Sequence, residues 1–311
     1  MVVTTTVYSL YWPETRRAVE SLWSSKPHGW YERNYSKIQD GMHEPFLAAW
    51  RDWSLVNLAG AFPHGYPVNG ASEAIDHLIL NPTLAPGRLH FFDGDYEGYA
   101  RVAECRGMSV IAHPRSIEAA KSRRFRPGDV FWISHPSAID GEYWDGLDGW
   151  LSEMSRRHPK VRVFLDVTYQ GAVKRVHRLS PAAHPNVAAV VFSLSKPFGV
   201  YYHRVGGVFC REPVESLWGN LWFKNLFSIH LGLELMRRHS VSDLAHRYAS
   251  TQEKIHRDLV AAGTLPPQSI PSNVVLLARN GTGQEAHRRA EGHYRFCLSP
   301  AMDKLINGGS P

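Results

Sequence analysis

The chain has 311 residues, 43% hydrophobic and 21% charged, which is apolar material for one large domain or two modest ones and leaves little room for disorder. Its formal charge is +6, yet the densest basic cluster, Lys121-Ser122-Arg123-Arg124, is too short and isolated for a nucleic-acid footprint. Cys105, Cys210 and Cys297 form no C-x-x-C pair and no disulfide framework, no apolar run is long enough to cross a bilayer, and residues 1–6 lack a signal-peptide pattern. These features predict a soluble cytoplasmic protein with neither a nucleic-acid nor a membrane partner.

Residues 14–25 and 42–53 carry apolar side chains at helical spacing, and the Gly- and Pro-containing stretch 27–41 between them reads as irregular. From about residue 54 the rhythm becomes strand, turn, helix. A turn at Asn69-Gly70 feeds a helix to residue 80, then come a strand at 89–92, a helix at 97–106 and a strand at 109–113. Strands at 129–134 and 161–166 flank a helix at 144–157, and further apolar runs occupy 187–192 and 206–210. Residues 214–262 read as helical throughout, followed by strands at 274–278 and 294–298 and a short end. Alternating strands and helices of this kind predict an α/β fold with a mostly parallel sheet.

Several residue types at the ends of these strands suit the binding of a phosphate group. Ser193-Leu-Ser195-Lys196 closes the apolar run Val190-Val191-Phe192, and a lysine there is costly to bury. Arg204 follows eight residues later, before Gly206; a serine hydroxyl and a forked guanidinium suit phosphate oxygens. Asp166-Val-Thr-Tyr169 ends the strand 161–165, where open α/β sheets place ligands. In Asn69-Gly70-Ala71-Ser72, glycine admits a close backbone approach and the next helix turns free N–H groups toward an anion. A plain serine N-cap explains Ser72 equally well, and the two roles are compatible.

Taken in order, these motifs resemble the class I and II, fold type I, aspartate aminotransferase-like family of pyridoxal-phosphate (PLP) enzymes, with this chain a short member. The resemblance runs over about residues 35–298 and is strongest from 161 to 210. It implies a large domain at 46–213, with residues 1–45 and 214–311 forming the N-terminal segment, interdomain helices and a reduced small domain. It implies that Lys196 carries PLP as an internal aldimine (Schiff base). It also implies that Gly70, Ala71, Ser72, Ser193 and Arg204 hold the phosphate and that Asp166 keeps the pyridine nitrogen protonated. Tyr169 would bond the ring oxygen. Asp93-Gly-Asp-Tyr96-Glu-Gly-Tyr99 sits where the family has P-x-Y-x-x-Y, so Tyr96 would stack on the ring. His293-Tyr-Arg295-Phe resembles the terminal strand whose arginine grips a substrate carboxylate. Tyr35 vaguely resembles a tyrosine that reaches the neighbouring subunit of a homodimer, and the aromatic stretch 218–227 suits either an interface or the core.

Two departures accompany the likeness. Where the family reads N-P-x-N-P-T-G, this chain has His135-Pro-Ser137-Ala138-Ile-Asp-Gly141, so Ala138 replaces an asparagine, with Ser137 and His135 as candidate substitutes. The C-terminal part is also compressed. Both point to specialised biosynthetic chemistry. The implied activity is transamination of an amino acid, with lyase, cyclase and oxidase reactions open on the same scaffold and a non-catalytic PLP- or nucleic-acid-binding protein as the contrasting class. Seventeen histidines form no metal-ligand spacing.

Overall fold

A computed structural model describes residues 3–25, 35–219, 221 and 224–308. A seven-stranded sheet has the order β1-β7-β6-β5-β4-β2-β3. Its strands are β1 (His64–Val68), β2 (Leu89–Phe92), β3 (Val110–His113), β4 (Val130–Ser134), β5 (Arg162–Asp166), β6 (Val187–Ser193) and β7 (Gly206–Cys210). Neighbouring strands from β6 to β3 are parallel, whereas β7 lies antiparallel to both β6 and β1. The chain folds as the mostly parallel α/β protein that its alternating elements imply.

Parallel strands are covered on both faces and so must be apolar on both. In β4, Phe131 and Ile133 enter the core on one side, while Val130 and Trp132 enter the core on the other. On the first face, Trp50 stacks on Phe192 at 4.2 Å and on Phe209 at 5.3 Å. Burying one such phenylalanine contributes roughly 1.5–3 kcal/mol. Trp50 belongs to α2 (Tyr35–Ser54), which packs on β1 and on α8 (Leu226–Arg238). The second face is covered by α3 (Ala71–Leu80), which packs on α4 (Glu97–Cys105), β6 and β7. The remaining helices are α1 (Pro13–Ser25), α5 (Leu147–Arg157), the one-turn α6 (Ser195–Phe198), α7 (Glu215–Gly219), α9 (Asp243–Arg247), α10 (Ala249–Ala261) and α11 (Ser299–Asn307). A second, antiparallel sheet has the order β10-β11-β9-β8, from β8 (Ile270–Pro271), β9 (Leu277–Asn280), β10 (Arg288–Ala290) and β11 (His293–Cys297).

Four local expectations change. Residues 35–41 are helical, because the buried Phe46, Leu47 and Trp50 anchor a helix that continues across Gly41 and Pro45 despite their poor propensity. The stretch 214–262 breaks into four helices; α8 restarts where the Asn225 side chain accepts from Ser228 N at 3.2 Å. The strand expected at 274–278 begins only at Leu277, since Val274 N donates instead to Gly141 O and Val275 N to Ala172 O, both at 2.9 Å. The C-terminal end forms α11, with proline in its first turn, where the missing N–H costs nothing. Among the described residues, no helix is long and apolar enough to cross a membrane.

Candidate active site

The parallel strands end on one edge of the sheet, and that edge carries Ser134, Asp166 and Ser193. Because β7 runs the other way, its beginning meets the ends of its neighbours. Gly206 therefore pairs with both Ser193 and Val68, which brings the Arg204 turn beside Gly70. Above this edge lies a cavity of about 880 Å³. Its lining includes Ala71, Ser72, Tyr96, Asp166, Tyr169, Ser193, Lys196, Arg204 and Arg295, so residues 224 positions apart in sequence share one space.

The phosphate side is built on backbone geometry. Gly70 has φ +80° and caps α3, and a Cβ there would lie 2.6 Å from the Arg204 guanidinium. Arg204 itself adopts the left-handed region at φ +50°, a strained placement that non-glycine residues hold mainly at functional sites. Its Nη2 lies 3.4 Å from Ser72 Oγ, and its guanidinium sits 5.3 Å above the Tyr201 ring. Ser193 Oγ donates to Ser195 Oγ at 3.0 Å and accepts from Ser195 N at 3.2 Å. Two hydroxyls, a guanidinium and the first turn of a ten-residue helix thus converge, an arrangement whose chemistry suits an anion.

On the far side Asp166, 5% exposed, accepts from Tyr99 Oη at 2.7 Å and from Thr168 N at 2.9 Å. Burial pushes its carboxyl above the ordinary carboxylate value, so a cation beside it would relieve the cost. Tyr99 stacks on Trp132 at 4.8 Å, which holds its hydroxyl on Asp166, while Tyr96 meets Tyr99 edge-on and stays 40% exposed. Tyr169 is buried, and that burial pushes its hydroxyl up to about 12.

Lys196 sits in α6, directly after β6. Its Nζ donates to Val7 O at 2.5 Å, and burial, helped by the positive charges of Arg295 and Arg204, lowers it to about 8. Arg295, 3% exposed, donates from Nη2 to Thr5 O at 2.8 Å and from Nη1 to Ala138 O, leaving Nε buried and unpartnered. A cation with a free buried donor suits a carboxylate.

Sequence reasoning missed the N-terminal segment: Thr6, Val7, Tyr8, Ser9 and Tyr11 also line the cavity, although nothing local to them marks a site. It also missed the bond from Tyr99 to Asp166, for which the second tyrosine of the D-x-D-Y-E-G-Y stretch was the available signal. Of the candidate substitutes at the altered asparagine, Ser137 caps its own loop by accepting from Ile139 N at 3.1 Å, and His135 packs against Tyr143; Ala138 faces the cavity instead. Tyr35 begins α2, and its side chain lies outside the described residues.

An anion cradle, a buried carboxylate and a lysine around one cavity fit PLP, whose phosphate, pyridine nitrogen and aldehyde have those complements. The sequence matches none of the curated proteins. In fold the chain is similar to histidinol-phosphate aminotransferase from Sinorhizobium meliloti in complex with PLP (TM-score 0.69, 13% identity, 98% of this chain and 90% of that chain). It is similar to a doubly mutated aspartate aminotransferase from Thermus thermophilus (TM-score 0.70, 13% identity, 98% and 90%). L-threonine-O-3-phosphate decarboxylase from Porphyromonas gingivalis is a further likeness (TM-score 0.65, 16% identity, 97% and 95%). The family model "Aminotransferase class I and II" matches residues 67–252. With that match across the cavity-building elements, the chain belongs to the class I and II aminotransferase family and is a PLP-dependent transferase.

Proposed function

We propose that the protein transfers the amino group of an amino acid to a 2-oxo acid in specialised biosynthetic metabolism, with Lys196 as covalent anchor of the cofactor and proton carrier. The observation that carries this reading is the placing of Lys196, Asp166 and Arg295 around one cavity. When bound, PLP supplies an electron sink for the pair left at the α-carbon. Arg295 binds the α-carboxylate through its free Nε and thereby orients the amine and the α-hydrogen. Lys196, lowered to about 8 by burial, is partly neutral near neutral pH and could take the α-proton and deliver it to the cofactor carbon on the other side of the amine nitrogen. Asp166 holds a proton on the pyridine nitrogen, and the Tyr169 hydroxyl donates to the ring oxygen. Gly70, Ala71, Ser72, Ser193 and Arg204 hold the phosphate, and Tyr96 offers its ring face. The N-terminal segment roofs the cavity and keeps water out.

The division into a large domain at 46–213 and a smaller part from 1–45 and 214–311 belongs to the same reading. So does a homodimer, which the exposed Trp23, Tyr202 and Trp218 support as apolar surface.

The test is an absorbance spectrum with added PLP, before and after borohydride, followed by peptide mapping. A visible band reduced onto Lys196 is expected, and Lys196→Ala should lose both the label and turnover. Label on other lysines alone, or near wild-type turnover in Lys196→Ala, refutes the assignment. Ping-pong kinetics with a 2-oxo acid separate transamination from a lyase, which needs no acceptor.

A further inference from the structure

Ala138 cannot bond with its side chain, yet its backbone is bonded on both sides. Its carbonyl accepts from Arg295 Nη1, and its N–H donates to Ser134 Oγ at 2.7 Å. Ser134 in turn donates its hydroxyl to Asp95 Oδ1 at 2.5 Å and its N–H to Asp95 Oδ2 at 3.0 Å. Asp95 Oδ1 also accepts from Tyr96 N at 2.7 Å, and Asp95 O accepts from Arg289 Nη2 at 2.7 Å. Asp95, Ser134, Ala138 and Arg295 are all buried. Each member of this path is hydrogen-bonded to the next, so each restrains the next.

We propose that Asp95 is a positioning residue, which sets the place of the Arg295 guanidinium through Ser134 and the backbone of Ala138 and so tunes the affinity for a substrate carboxylate. The inference rests on Arg295 being the carboxylate site. Three donors converge on Asp95: Ser134 O–H, Ser134 N–H and Tyr96 N–H. A carboxylate is acceptor-only and takes all three; an amide has a single acceptor oxygen and turns an N–H toward another N–H. Asp95→Asn therefore keeps the volume and breaks the path. Ser134→Ala breaks it one step later, and Ser134→Thr keeps the hydroxyl.

The test measures the dissociation constant of 3-phenylpropanoate, a carboxylate with no amine to react, by tryptophan fluorescence with and without PLP bound. KM and kcat for the amino donor are measured beside it. Asp95→Asn and Ser134→Ala should each weaken the probe and raise KM about tenfold, the equivalent of one buried hydrogen bond, with kcat changed less. Ser134→Thr should stay near wild type, and Arg295→Leu should lose most of the binding. If Asp95→Asn and Ser134→Ala match wild type in both constants while Arg295→Leu does not, Asp95 is structural only and the proposal falls. If Arg295→Leu also binds as wild type, the carboxylate site itself is misplaced and the proposal falls with it. If Asp95→Asn does not fold, Ser134→Ala decides, and a Ser134→Thr variant as weak as Ser134→Ala also overturns the path.

Discussion

Asp166 accepts from Tyr99 Oη and from Thr168 N, and a substitution can remove the Tyr99 donor without touching the backbone. The hydroxyl of Tyr99 approaches at 2.7 Å inside a buried layer, with the ring held by Trp132. A hydrogen bond to a charged group is worth about 1.5–3 kcal/mol, so Tyr99→Phe should lower kcat/KM roughly 10- to 100-fold while the fold stays intact. Steady-state kinetics beside a melting curve check this, and activity within twofold of wild type would mean that the bond does not tune Asp166. The motif around Asp93 offered two tyrosines, and the sequence marked Tyr96 for the ring. Exposure separates their roles: both line the cavity, but Tyr99 is fully buried whereas Tyr96 is 40% exposed. Which of two tyrosines three positions apart points inward depends on the start of α4, and no residue type in the motif encodes that.

At the scale of elements, the N-terminal segment that lines the site passes α6 at close quarters. α6 ends at Gly199, φ +70°, and a Cβ there would lie 1.8 Å from Leu10 O of the N-terminal segment. The segment is tied down by Trp12 Nε1, which donates to Pro197 O at 3.0 Å, and by Cys297 N, which donates to Thr4 O at 2.9 Å. Gly199→Ala meets backbone rather than a yielding side chain and adds left-handed strain, so a loss of more than about 2 kcal/mol is expected. A urea titration should show it, together with faster proteolysis within residues 3–12; an unchanged midpoint would mean that the segment lifts away at no cost. The central strands were legible because their apolar runs are short, rich in β-branched and aromatic residues and closed by turn residues. β1 was not, since its His-Gly-Tyr-Pro-Val run includes a proline that only an edge position tolerates.

For the molecule as a whole, the balance of buried titratable groups sets an acid limit. Eight of the described histidines (90, 113, 135, 158, 203, 256, 287 and 293) are lowered, each mainly by burial. His113 falls to about 4 and His135 to about 3. Below about pH 6.5 the unfolded chain binds protons that the folded histidines refuse, so stability falls as pH drops toward those lowered values. Asp95, pushed up to about 6, and Asp166, also raised, work in the opposite direction. Four of the eight, His90, His113, His135 and His256, are buried and outnumber the two carboxyls, each contributing up to ~1.4 kcal/mol per pH unit within its window, while solvent screening makes the more exposed four count for less. Urea midpoints should therefore drop between pH 7.5 and 5.5, and a flat profile would contradict the burial of these histidines.

The sequence by itself determined the central strands of the sheet, the strand-end motifs and the chemistry class, because each rests on short-range signals: apolar runs, turn residues, and Lys196, Asp166 and Arg204 at fixed offsets. Only the tertiary structure decided what closes the cavity and what supports Arg295. Val7 meets Lys196 across 189 positions and Thr5 meets Arg295 across 290, and both offer backbone carbonyls. Every residue carries such a carbonyl, so no side-chain pattern marks the few that the fold turns inward.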